Sequence, residues 1–365
     1  MKIHEKYIAR EVLAAILLVL AALIALYGFF DLIESLKDVG KGEFAAQHAF
    51  LYVSLRLPGR LYELMPIAAL IGTLYALSGL ARHSEITVLR TSGMTTRHLL
   101  WQLFKVAGLI AVAALLLGET IVPPAERMAQ DLRARAIHRV VAKEFGSGLW
   151  VKDGHAFINI RAATPEAELE QVRVYQFDAR NRLQYVLEAR QGIYQAADQW
   201  QLKDVVRTVL EEPENNAPKQ PRARVETETS MAWTSALTPE IIAMLMVPPE
   251  RMSLIGLVTY LQHLSSNHQK TERYEIALWK KFFYPLAALV MVALALPFGY
   301  THNRMGGVSL QLFGGVMVGV LFHMLNGLFS SLGVIHAWPP FASAIAPSAL
   351  FLATALGMLW WVERR

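Results

Sequence analysis

The chain has 365 residues, 54% hydrophobic and 18% charged, a composition that argues against a soluble protein with a single core and for a membrane protein. Its formal net charge of +5 comes without a basic run or an RNA-binding signature, so no nucleic-acid partner is expected; a positively charged cytoplasmic face accounts for the excess. With no cysteine there is no disulfide framework, thiolate metal site or catalytic thiol, and no metal site is expected.

At the amino end Lys2, Lys6 and Arg10 precede an uncharged run from Val12 to Phe30. Its 19 residues exceed a signal-peptide apolar core, and Asp31, Glu34 and Lys37 follow where small-residue cleavage chemistry would stand. It is therefore read as a retained first span. Leu64 to Ala81 is the second.

Ser84 to Gly93 then reads as a short cytoplasmic helix. Ser84 is placed to cap it, Glu85 suits its positive first turn and Gly93 closes it, with Ile86 and Leu89 forming an apolar ridge beside Glu85 and Arg90. A short rigid helix joining two spans is something a soluble motor domain could push; an ordinary amphipathic loop helix has the same pattern.

Leu99 to Val122 carries Lys105 and Glu119 with 13 uncharged residues between them. Parity makes it the third span, because only an even number of crossings puts Arg82, Arg90, Arg97, Arg304, Arg364 and Arg365 on the same side as the amino terminus. After Pro123-Pro124 the pattern changes to a polar helix, Met128 to Val140, and then to strand-like alternation at Val172 to Phe177, Leu183 to Ala189, Trp200 to Leu202 and Val205 to Leu210. Turns at Asp153-Gly154, Asp178 to Asn181 and Glu211 to Pro221 separate these strands, which predicts a sandwich, barrel or jelly roll. Met252 to Arg273 reads as a helix returning to the membrane. Phe282 to Thr301 is a fourth span. The 58 residues from Met305 to Val362 hold no Asp, Glu, Lys or Arg and make two more, divided at Gly333 to Pro340.

The predicted fold is thus an α-helical polytopic membrane protein of six transmembrane helices with an inserted periplasmic all-β, jelly-roll-like domain. Residues 1–122 hold spans one to three with the short helix at about 84–93; residues 123–273 form the β domain with its flanking helices; residues 274–365 hold spans four to six. No P-loop is present, since Gly40-Lys41 is followed by Gly42, so the chain is not expected to hydrolyse ATP itself. Glu119 and His323 stand alone in their spans, and no catalytic constellation is found. A membrane enzyme using either residue is the competing reading from a different class.

The order and spacing of several motifs carry a resemblance. They are Met65-Pro66-Ile67-Ala68-Ala69-Leu70-Ile71-Gly72, Ser84-Glu85-Ile86-Thr87-Val88-Leu89-Arg90-Thr91-Ser92-Gly93, Gly118-Glu119 with Pro123, and Gly148-Leu149-Trp150-Val151-Lys152-Asp153-Gly154. Across essentially the whole chain the sequence resembles the paired permeases of the lipopolysaccharide exporter, the YjgP/YjgQ family of LptF and LptG permeases, and within it the LptG type more than the LptF type. The resemblance implies an inner-membrane, multi-pass permease that pairs with an LptF-type permease, docks on an LptB ATPase dimer and works with LptC. ATP and Mg would act at the partner ATPase, with no cofactor in this chain. Such a pair extracts lipopolysaccharide from among the membrane lipids and hands it to a bridge of jelly rolls. Lys37, Lys41 and Arg133 would meet lipopolysaccharide phosphates; Asp31 and Asp38 stand where relatives can have lysine, thinning that cluster. Glu85, Ile86, Leu89 and Arg90 would couple to the ATPase. Gly314, Gly315 and Gly319 mark a fifth span able to pack closely or slide as a lateral gate. A mechanotransmitting scaffold without a lipid cavity is the remaining alternative.

Overall fold

The computed structural model describes residues 3–137, 148–163, 168–196, 198–211, 222–239, 241–242, 247–267, 269–300 and 308–364. Arg304, Arg365, the part of the Met128 to Val140 helix beyond Ile137, and residues 212–221 of the last predicted turn lie outside these.

Helices α1 (Ile3–Leu36), α2 (Ala46–Arg82), α3 (Glu85–Thr91) and α4 (Thr96–Leu116) come first. A π-helical turn at Leu117–Ile121 joins α4 to α5 (Val122–Ile137), so the third span and the polar helix beyond it are one continuous rod. Pro123 and Pro124 mark the predicted change from apolar span to polar helix. The wide turn before them leaves their missing N–H groups within the first turn of α5, where proline costs least.

The central helix is α2. Its 37 residues extend far beyond the predicted Leu64 to Ala81, and at about 1.5 Å per residue it outreaches a hydrocarbon core of about 30 Å. Against it pack Ile8, Val12, Ile16 and Leu20 of α1 and Leu103 and Ala107 of α4. Gly72 permits the closest approach: a Cβ there would stand 2.5 Å from the Ile16 Cα, a backbone atom that cannot swing aside.

After the sheet, a 3₁₀ turn (Pro249–Arg251) and α6 (Leu254–Ser266) lead to α7 (Glu272–Phe283) and α8 (Ala287–Tyr300), then α9 (Val308–Ile335) and α10 (Pro340–Glu363). The fourth span predicted from Phe282 begins at the end of α7, and α7 and α8 together form a longer pair bent by 57° at Tyr284–Leu286, a site that contains Pro285. Five helical runs are long and apolar enough to cross a membrane, and this bent pair makes six. The turn between the last two spans falls at His336 to Pro339, inside the predicted Gly333 to Pro340, with Ala337 at φ 50°.

The insert is an antiparallel sheet of six strands in sequence order: β1 (Leu149–Asp153), β2 (Ala156–Ala163), β3 (Glu168–Phe177), β4 (Leu183–Ala196), β5 (Gln199–Glu211) and β6 (Arg222–Thr234). One row crosses the sheet without ladder pairing: Arg161, Gln171, Arg190, Asp204 and Thr229. Gln171 and Asp204 take φ of 49° and 51°, the left-handed region. The side-chain alternation slips there, from Leu169 to Val172 in β3, Ala189 to Gly192 in β4 and Leu202 to Val205 in β5, yet inward residues on both sides of the row join one core. The sheet therefore bends along this line, as sheets do where ladders are interrupted. That slip is also why the sequence showed two short strands, at Trp200 to Leu202 and Val205 to Leu210, where one long β5 stands. Leu237, Ile241, Ile242 and Tyr260 and Leu264 of α6 close the core, and the Trp200 indole N–H donates to the Leu237 carbonyl at 2.9 Å.

Candidate functional site at the root of the sheet

Where the sheet meets the helices, charged side chains from four elements interlock. Arg60 on α2 grips Asp31 at the end of α1 with two hydrogen bonds, both 2.7 Å, and donates to Glu63 at 3.0 Å. Arg251, in the 3₁₀ turn, donates to Glu63 Oε1 from Nη2 at 2.9 Å and to Glu126 Oε2 of α5 from Nη1 at 2.9 Å. Glu126 is 1% exposed and also faces Arg56 at 3.8 Å. Burial opposes the charge on Arg251, but Glu63 and Glu126 outweigh that and hold its proton more tightly than usual.

Beneath this collar, Lys281 of α7 donates to Glu119 Oε1 at 2.9 Å and to the Gly118 carbonyl at 2.9 Å, while the Leu254 N–H donates to Glu119 Oε2 at 3.0 Å. The Tyr284 hydroxyl, at the bend, donates to the Glu63 carbonyl at 2.6 Å. Glu119 does not stand alone as predicted: its π-helical turn leaves Gly118 O accessible, and both oxygens of its carboxylate are engaged. None of Arg60, Glu63, Glu126 and Arg251 was singled out from sequence. They are spread over α2, α5 and the 3₁₀ turn, so no local pattern in the chain brings them together.

Of the cations predicted to meet a lipid, Lys37 is exposed beyond the end of α1. Lys41 and Arg133 converge on one carboxylate, Asp38, at 2.5 and 2.8 Å. Burial raises the Asp38 carboxyl, but hydrogen bonds from Lys41 and Arg133 hold it below the usual range. Asp38 therefore neutralises much of the pair, and Asp31 is spent on Arg60. The thinning expected from sequence is an arrangement of fixed ion pairs.

At the other end of the helices, α3 lies between α2 and α4. Ile86 is buried and Leu89 packs with it against those helices, so the predicted ridge faces this chain's own core. Glu85, Thr87 and Val88 form the outward side, Val88 64% exposed, and the Arg90 side chain lies outside the described residues. Nearby His4, Glu5 and His98 bring donor atoms within 4.8 Å of one another, a grouping of α1 with α4 that sequence did not foresee. In α9, a Cβ on Gly315 would meet Leu74 and one on Gly319 would meet Ile67, both on α2 of the same chain; Gly314 faces open space. Two of the three glycines thus serve packing within the chain.

The sequence profile described as "Lipopolysaccharide export system permease LptF/LptG" matches residues 6–361. The lipopolysaccharide export system permease protein LptG of Haemophilus influenzae is 29% identical over 362 residues, covering 99% of this chain and 98% of its own. The protein of the same name from Escherichia coli K12 is 30% identical over 356 residues, 97% of each chain. With a family profile matching nearly the whole chain and a relative 30% identical along it, the chain belongs to the lipopolysaccharide export system permease family LptF/LptG.

Proposed function

We propose that this chain is the LptG-type permease of an inner-membrane lipopolysaccharide exporter, paired with an LptF-type permease and driven by an LptB ATPase dimer that binds ATP and Mg. The whole-chain match to LptG proteins carries this reading. Geometry supports it. The two least buried spans are α1 and α9, with 22% and 17% of their apolar windows covered, and they present Leu18, Phe29 and Phe30, and Leu310, Phe313 and Met324. A multi-acyl lipid leaving the bilayer needs such apolar walls, because each methylene exposed to water costs about 0.8 kcal/mol. Lys37 and the Lys41–Asp38–Arg133 group sit at the sheet-proximal end, where lipid phosphates would lie. The sheet, on the periplasmic side with LptC, receives the lipid. Glu85, Thr87 and Val88 of α3 are the surface offered to the ATPase, with Ile86 and Leu89 transmitting force to α2 and α4.

A photocrosslinker at Lys37 in the assembled exporter is expected to capture lipopolysaccharide, and Glu85→Lys to reduce co-purification of the ATPase while the chain stays inserted. Capture of protein partners alone would instead support a scaffold, and an unchanged ATPase yield and rate in Glu85→Lys would remove α3 from the coupling role.

A further inference from the structure

Lys280 and Lys281 are neighbours on α7 with different surroundings. Lys281 is paired with Glu119. Lys280 Nζ donates to the Asn326 carbonyl of α9 at 3.3 Å, and among the described residues no carboxylate lies within 4.0 Å of it. It stands where two recesses meet. One, of about 170 Å³, lies between α2, α7 and α9; the other, of about 460 Å³, follows α7 and α9 toward the sheet-proximal end.

The other charges facing the smaller recess are already matched. Arg251 is held by Glu63 and Glu126, and Lys281 by Glu119. Glu250 is exposed at the rim, outside ion-pair distance of Lys280. What remains is a half-buried ammonium with Asn326 and His323 beside it and tyrosine walls, Tyr62 and Tyr284. A lysine charge removed from water in this way is costly until an anion meets it, and an apolar recess with a few convergent polar groups is the usual form of a ligand site.

We propose that Lys280 seats an anionic group, a phosphate or carboxylate, of the transported lipid's headgroup, in a recess built by α7 and α9 and separate from the Lys37, Lys41 and Arg133 cluster of α1, its following loop and α5. The inference rests on the lipid-export reading. It adds a second anchoring point, so that a headgroup bearing two anionic groups is held at both.

The test uses the assembled exporter in phosphatidylcholine nanodiscs, titrated with bisphosphorylated lipid A, fully dephosphorylated lipid A and inorganic phosphate, and read by native mass spectrometry. Lys280→Ala is expected to weaken bisphosphorylated lipid A about tenfold, the scale of one charge-assisted contact, and to change the dephosphorylated lipid less than twofold. Lys280→Arg should retain most of the affinity, and Glu250→Gln should leave it equal or tighter. Intact association with the ATPase and the partner permease reports that each variant is folded. Wild-type affinity in Lys280→Ala, with Lys37→Ala still weakened, would overturn the proposal and leave the export reading standing. Lipid A binding to none of the proteins would overturn both. Loss of inorganic phosphate binding alone would make this a free-anion site and overturn the lipid assignment. A loss in Glu250→Gln equal to that in Lys280→Ala would show a structural pair, with the same consequence.

Discussion

Arg251, on the chain's return from the sheet, donates from Nη1 to Glu126 Oε2 on the helix that leads out to it, at 2.9 Å. The two connections of the insert are thereby fastened to each other and, through Glu63, to the outer part of α2. This joint ties α2, α5 and the 3₁₀ turn together by ion pairs.

Removing one partner of the joint leaves a buried charge unmatched, so Glu126→Ala is expected to destabilise the chain by roughly 3–5 kcal/mol. The double variant Glu126→Leu with Arg251→Met should recover most of that loss, since it removes both charges and keeps the volume. Thermal unfolding in detergent measures both. Additive losses in the double variant would show that the two residues do not act as a pair.

Asp38 holds Lys41 and Arg133 at once. Asp38→Asn removes the carboxylate that both cations share, and should raise the affinity of the exporter for lipopolysaccharide several-fold at low salt, with the gain shrinking as ionic strength rises. Binding isotherms at two salt concentrations check this. A weaker variant would mean that Asp38 positions its partners for the lipid.

Gly72→Ala forces α1 away from α2, because the new methyl meets the Ile16 backbone. We expect a cost of about 1–3 kcal/mol or more, seen as lower melting temperature and yield. Gly314→Ala meets open space and removes a glycine from a helix, so it should be neutral or stabilising by up to about 1 kcal/mol. Equal behaviour of the two variants would refute the distinction.

His263 of α6 faces the sheet, with its Nε2 buried and without a hydrogen-bond partner among the described residues, Tyr260 stacked on it and Asp153 across from it. Burial lowers its proton affinity below the usual 6.5, and Asp153 only partly offsets that. Because the unfolded chain binds the proton more readily, stability falls as pH drops below about 6.5 and stops falling once the folded-state value has been passed. Hydrogen exchange in the sheet at pH 7.5 and 5.5 should show this loss, and His263→Phe should flatten it. An unchanged slope in His263→Phe would assign the effect to another group.

Much of the architecture is legible in the chain because burial in a bilayer is written residue by residue. The uncharged runs at Val12 to Phe30 and Met305 to Val362, the charge asymmetry that sets their parity, and the alternation in β4 each follow from local composition. Local pattern failed where an element departs from its period. The π-helical turn at Leu117–Ile121 joined two helices across Pro123, Asp204 split one strand into two apparent ones, and α7, before the Tyr284–Leu286 bend, was not seen to belong with the fourth span.

The candidate sites divide the same way. The sequence by itself determined that cations gather near Lys37 and that Glu85 opens a short helix between spans, because both depend on neighbours in the chain. Only the tertiary structure decided which charges remain available. Ion pairs such as Arg251–Glu126 and Arg60–Asp31 join residues 125 and 29 positions apart, and a charge's partner is set by distance in space, which Coulomb energy follows and sequence separation does not.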